Sequence, residues 1–94
     1  MNDLRISGWV AEVYEDRYYQ DKTRTVLVLE VFDPQARDPK PVALYAYGEK
    51  AKEAANALNV GQQVECRGNV QSRRGDKGWF NESVIFGIDA HQWE

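Results

Sequence analysis

Apolar residues along the chain follow two different spacings, and the switches between them mark its elements. Leu4 and Ile6 alternate with polar neighbours, and Val10 and Val13 continue the apolar side after a slip in the pattern. A period of two belongs to a strand with one buried face, which predicts a first strand over residues 4–14. Gly8 stands at the slip, where a bend, a bulge or a close backbone approach each suits a residue without Cβ. Residues 15–24 read as a polar loop. A second strand follows over 25–32, with Leu27, Leu29 and Val31 expected to face inward and Val26, Val28, Glu30 and Phe32 outward. Asp33-Pro34 ends it, and the three prolines of residues 33–41 mark a loop where no ladder continues.

The segment 42–70 is the most informative. Val42, Leu44 and Ala46 alternate with Ala43, Tyr45 and Tyr47, which predicts a third strand over 42–47. After Gly48 the spacing changes. Ala51, Ala54, Ala55 and Leu58 fall at i, i+3, i+4 and i+7, one face of a helix over about residues 49–58. Asn59 and Gly61 supply its stop, since both tolerate positive φ. Val64, Cys66, Gly68 and Val70 then alternate in a fourth strand over 62–71. Residues 72–78, SRRGDKG, read as a basic hairpin loop, and a fifth strand runs over 79–88. The tail, 89–94, is too short for another element. The expected fold is therefore all-β: a five-stranded OB-fold barrel with one α-helix between strands 3 and 4. The alternative is an SH3-like barrel, and a helix of about three turns argues against it. OB barrels bind oligonucleotides and oligosaccharides.

Ninety-four residues make a single domain, 1–94. With 43% hydrophobic and 29% charged residues, the chain has the composition of a folded soluble protein rather than a disordered one. No apolar run approaches the ~20 residues of a membrane span, and the N-terminus lacks the pattern of a signal peptide, so the expected compartment is the cytoplasm. The single cysteine, Cys66, excludes an internal disulfide and reads as a small core residue. His91 stands without a second histidine or a partner cysteine, so no metal site and no cofactor are expected. No nucleophile elbow, phosphate loop or paired carboxylate is present, and no enzyme activity is expected. The net charge of −3 argues against nucleic-acid binding by bulk charge. It leaves room for local cations combined with aromatic stacking.

Residues 44–73, LYAYGEKAKEAANALNVGQQVECRGNVQSR, resemble the bacterial single-stranded DNA-binding protein family. Shared are an apolar-aromatic strand closed by an aromatic and a glycine, an alanine-rich helix, and a strand leading into a basic loop. The resemblance implies single-stranded DNA as ligand. It places Tyr47 where the family has a base-stacking phenylalanine, and Trp79 near a tryptophan of its loop between strands 4 and 5. Pro41 stands in place of another family tryptophan, and the acidic-tipped tail by which the family recruits partners has no counterpart in residues 89–94.

The candidate binding residues form three groups. Tyr45 and Tyr47 project from the outer face of the third strand, beside Phe32 on the second. There they suit base stacking, an interface between copies, or simply a good β residue with a wet hydroxyl. Arg73, Arg74 and Lys77 flank Trp79 in the hairpin loop, either as phosphate contacts or as an ordinary solvated turn. Arg17, Tyr18 and Arg24 lie in the first loop, which flanks the OB cleft. Trp9 and Trp93 read as packing or interface residues. The favoured reading is a protein that binds single-stranded DNA with little sequence preference, acting as a homo-oligomer in DNA replication. The rivals are an assembly subunit of a replication, conjugation or phage complex, with protein partners, and an RNA-binding OB domain.

Overall fold

The computed structural model describes residues 2–32, 35, 37–89 and 91–92, the last two by backbone alone. The elements are β1 (Leu4–Tyr19), β2 (Lys22–Val31), β3 (Lys40–Ala46), α1 (Glu49–Asn56), β4 (Gln63–Gly75), β5 (Gly78–Ile88) and β6 (His91–Gln92). Their order in the sheet is β3-β2-β1-β4-β5-β6, and a parallel pairing of Tyr45 with Val84 joins β3 to β5. The five long strands thus close into the expected OB barrel, with one helix between β3 and β4. Asp33-Pro34, expected to end the second strand, and Trp93 lie outside the described residues.

β1 serves both halves of the barrel. Its first part pairs with β4 from Leu4↔Gly68 to Trp9↔Gln63, and its second part pairs with β2 from Trp9↔Glu30 onward. Gly8 lies at the handover. A Cβ there would stand 2.5 Å from the Glu30 carbonyl oxygen, so the glycine is a close approach of two backbones. The irregularity itself falls at Ala11, between the pairs Val10↔Leu29 and Glu12↔Val28.

Leu27, Leu29, Leu44, Ala46, Val64 and Cys66 meet inside as read, and form the core with Val10 and with Ile85 and Ile88 of β5. Val70, which continues the alternation of Val64 and Cys66, lies beyond the core and is 39% exposed. Ala51 and Ala55 of α1 close one end of it, with Ala54 and Leu58 packed at its margin. Small alanines let the helix backbone lie close to the sheet. α1 is shorter than its apolar pattern: it ends at Asn56, with Ala57 still right-handed, and the left-handed residue of the turn is Gly61 rather than Asn59.

Four expectations are corrected. Residues 15–24 are not a loop: β1 and β2 continue as a hairpin arm to a turn at Gln20 and Asp21, held by the pair Tyr19↔Lys22. Polar residues occupy both faces of that arm, so no apolar period announced it. The basic loop 72–78 is likewise mostly strand, with only Asp76 and Lys77 between Gly75 and Gly78. Residues 89–94 do contribute an element, since His91 and Gln92 pair with Ile88 and Gly87. Finally, β3 begins at Lys40, so Pro41 takes a place opposite Glu30 at the start of the ladder.

Candidate nucleic-acid interface

Register assembles the outer face of the barrel rung by rung. Tyr14, Val26 and Tyr45 share one rung across β1, β2 and β3, and Asp16 and Arg24 share the next. Val26 faces outward as read, yet it is only 1% exposed, because a tyrosine flanks it on each side. Beyond this rung lie Tyr18 and Tyr47, whose rings meet edge to face with centroids 5.0 Å apart.

Arg24 is the hub of this face. Its guanidinium carbon lies 4.1 Å from the Tyr45 ring centroid, 5.8 Å from that of Tyr47 and 5.9 Å from that of Tyr18. Its Nε donates to Asp16 at 3.0 Å, and one terminal nitrogen donates both to the Tyr47 hydroxyl at 2.6 Å and to Glu82 Oε2 at 2.8 Å. The Tyr47 hydroxyl in turn donates to Glu82 Oε2. Arg73, from β4, donates to the other oxygen of Glu82 at 2.9 Å. Glu82 is thus a buried carboxylate held by two arginines and a phenol, which is how a protein accommodates a buried charge. Burial would lower the Arg24 pKa, but its bonds to Tyr47 and Asp16 and the charge of Glu82 outweigh this and raise it. Burial, followed by the bond to Glu82, raises the pKa of Tyr47 against the pull of Arg24.

The arm of β4 and β5 carries the exposed aromatics. Trp79 pairs with Arg74 and Phe80 with Arg73. Trp79 is 70% exposed, with the Arg74 guanidinium 6.0 Å from its ring centroid. The Phe80 ring lies over Gly75, where a Cβ would come within 2.9 Å of it. Among the described residues, neither Arg74 nor Lys77 has a carboxylate within ion-pair distance. At the root of this arm is a concavity of about 430 Å³ lined by Tyr47, Gln71, Ser72, Arg73 and Glu82.

The structure therefore unites Tyr18, Arg24, Tyr45, Tyr47 and Arg73 around Glu82, and places Arg74, Lys77 and Trp79 together on one arm. Two candidates lie apart. Arg17 shares a rung with Thr23, and alternation turns it away from Tyr18 and Arg24, toward the face where Lys52 of α1 bonds Thr23. Phe32 is not beside the tyrosines: it follows β2 at the opposite end from Arg24, about 20 Å along the strand from the Val26 rung. Glu82 and Asp16 escaped the sequence reading. Asp16 had a signal, since a tight turn at Gln20 and Asp21 would set it opposite Arg24. Glu82 had none, because its partners come from three other strands or strand ends. Among the described residues, no cluster of three or more His, Cys, Asp or Glu is placed to hold a metal ion, and no helix is long and apolar enough to cross a membrane.

No protein-family model matches the chain, and no curated protein matches it. Solved structures do. The SSB domain of a Synechococcus protein superposes with a TM-score of 0.67 at 17% identity, covering 95% of this chain and 94% of that one. A small single-stranded DNA-binding protein from Mycoplasma pneumoniae gives 0.69 at 16% identity, covering 100% and 97%. Another from Streptomyces coelicolor gives 0.60 at 18% identity, covering 92% and 88%. At such identities the likeness is one of fold, over nearly the whole length: the chain has the OB barrel found in these single-stranded DNA-binding proteins.

Proposed function

We propose that this protein binds single-stranded DNA with little sequence preference. The observation that carries the reading is the arm of β4 and β5, where Trp79 stands 70% exposed beside Phe80, with Arg74 over its ring. An exposed aromatic pair flanked by cations that have no carboxylate partner among the described residues combines base stacking with phosphate attraction. Solved proteins of the same fold that carry the name of single-stranded DNA-binding proteins support it.

In this reading Trp79, Tyr45 and Tyr47 stack on bases, and Arg73, Arg74 and Lys77 contact phosphates. Arg24 acts indirectly. Its donors are engaged by Asp16, Glu82 and Tyr47, so it positions the tyrosines. Tyr18 supports Tyr47 through their edge-to-face contact. Arg17 and Phe32 fall outside the path. With a net charge of −3, one copy binds weakly, and self-association joins several platforms to raise the affinity.

Titration with oligo-dT, followed by tryptophan fluorescence at two salt concentrations on protein of measured solution mass, tests the reading. Saturable quenching that weakens with salt is expected. No quenching at low salt, with oligo-dT and with mixed sequences, overturns it. Competition by a matched RNA oligonucleotide measures the preference for DNA.

A second reading, an assembly subunit, is favoured by Trp9 and Phe32, exposed by 42% and 65% at the end of the face away from the tyrosines. Loss of self-association in Trp9→Ala, with oligo-dT binding absent in both proteins, would support it.

A further inference from the structure

Glu82 uses its two oxygens differently, and the difference divides its partners into fixed and exchangeable. Oε2 takes the Arg24 and Tyr47 donors, while Oε1 takes Arg73 alone. The Arg24 side chain is 14% exposed and that of Arg73 is 40% exposed. Arg73 also lines the concavity beside Tyr47, Gln71, Ser72 and Glu82, whereas Arg24 does not, so of the two arginines it is the one within reach of an anion entering there.

We infer that Arg73 is an exchangeable phosphate contact, held by Glu82 in the free protein and passed to a backbone phosphate when single-stranded nucleic acid binds. The inference rests on the proposed function and adds a mechanism to it: Glu82 is an internal competitor for the phosphate. Exchange is feasible because Glu82 keeps Arg24 and the Tyr47 hydroxyl on Oε2, and because it lines the concavity, where water takes the vacated place on Oε1. A guanidinium gives a phosphate the same charge-assisted, two-pronged bond that it gives a carboxylate. Arg74 and Lys77 have no such competitor among the described residues. The face therefore offers two kinds of cation, one always available and one released by binding.

The test measures oligo-dT affinity of the wild type, Arg73→Gln, Glu82→Gln and the double variant, each at low salt and at fourfold higher salt, with the unfolding midpoint of each as a control. One single-strand phosphate contact costs about 2.6-fold in affinity over a fourfold rise in salt. Arg73→Gln is therefore expected to bind more weakly and to lose about 2.6-fold less affinity over that rise. Glu82→Gln is expected to bind several-fold tighter than the wild type, and at least half of that gain on a logarithmic scale should vanish in the Arg73→Gln background. A gain of equal size in both backgrounds reflects net charge alone and overturns the inference. So does an Arg73→Gln protein with wild-type affinity and salt dependence, a result that decides the matter even if Glu82→Gln does not fold. If the wild type itself fails to bind, the proposed function falls and this inference with it.

Discussion

Arg24 and Glu82 form a 2.8 Å hydrogen-bonded ion pair across 58 positions of sequence, close to where the single pairing Tyr45↔Val84 closes the barrel. The pair ties the β1–β2 arm to β5, and through Arg73 to β4. Together with Asp16, it holds the Arg24 guanidinium over Tyr45. Stability and the shape of this face thus depend on the same few side chains.

Removing Glu82 is expected to cost more than its area suggests. Its side chain is 7% exposed, and Glu82→Ala leaves two arginines and a phenol without their acceptor. Breaking a buried pair on one side costs about 3–5 kcal/mol. Glu82→Gln keeps an acceptor oxygen and should lose clearly less. Urea unfolding measures both, and a loss below about 1 kcal/mol for the alanine variant would show that the network does not hold the arms together.

Trp79 should behave in the opposite way. At 70% exposure it contributes little to folding, so Trp79→Ala is expected to leave the unfolding free energy within about 0.5 kcal/mol of the wild type. Its loss should weaken oligo-dT binding by about 1–3 kcal/mol, the worth of one stacked base. Binding has to be followed by anisotropy of a labelled oligonucleotide, since the reporter ring is gone. Trp79→Phe should recover much of the affinity.

Gly68 and Gly61 test two separate reasons for glycine. A Cβ on Gly68 would overlap the Val84 carbonyl oxygen, beside the register shift between Arg67 and Gly68. Gly68→Ala therefore has to push two paired strands apart, at about 1–3 kcal/mol. Gly61 has open space but a φ of +90°, so Gly61→Ala meets only backbone strain, about 1–2 kcal/mol. Thermal unfolding of the two variants compares them. Gly68→Ala should also disturb the amide exchange of β5, and Gly61→Ala should not.

Cys66 should be chemically silent in the folded protein. Burial first, then the nearby charges of Asp89 and Glu65, push its thiol from 9.0 up to about 12. A thiol reagent at pH 8 is expected to modify it slowly in buffer and quickly in urea. The sign for stability follows from proton binding. Above about pH 9 the unfolded chain releases this proton while the folded protein keeps it until about 12. The unfolded state then binds fewer protons, and stability falls as pH rises through that window. Cys66→Ala should flatten this part of the profile; an unchanged slope would contradict the shift.

Sequence periodicity revealed the barrel because burial imposes it. Leu27, Leu29, Leu44 and Cys66 are all 0% exposed, and each stands at the alternate position its strand requires. Ala51 and Ala55 mark the helix for the same reason. The arms were not legible. In residues 15–24 and 72–78 neither face reaches the core, so no apolar period records that these segments are strands. The tyrosine face was half legible: alternation placed Tyr45 and Tyr47 outside, while Arg24 and Arg73 were read only as cations of two loops, because nothing in the spacing showed that Glu82 would engage both.

The sequence by itself determined the order of the five long strands and the helix, the inner faces of β2 and β3 and the outward side of β3, since each follows from local spacing and the exclusion of water from one face. Only the tertiary structure decided which outward residues meet. Register set Arg24 on the rung of Asp16, one step from Tyr45, sent Arg17 to the other face, and carried Phe32 to the far end. Barrel closure then brought Glu82 to Arg24 and Arg73. Such partners are chosen by long-range pairing and by the need to satisfy a buried charge, and neither leaves a mark in the spacing of a single strand.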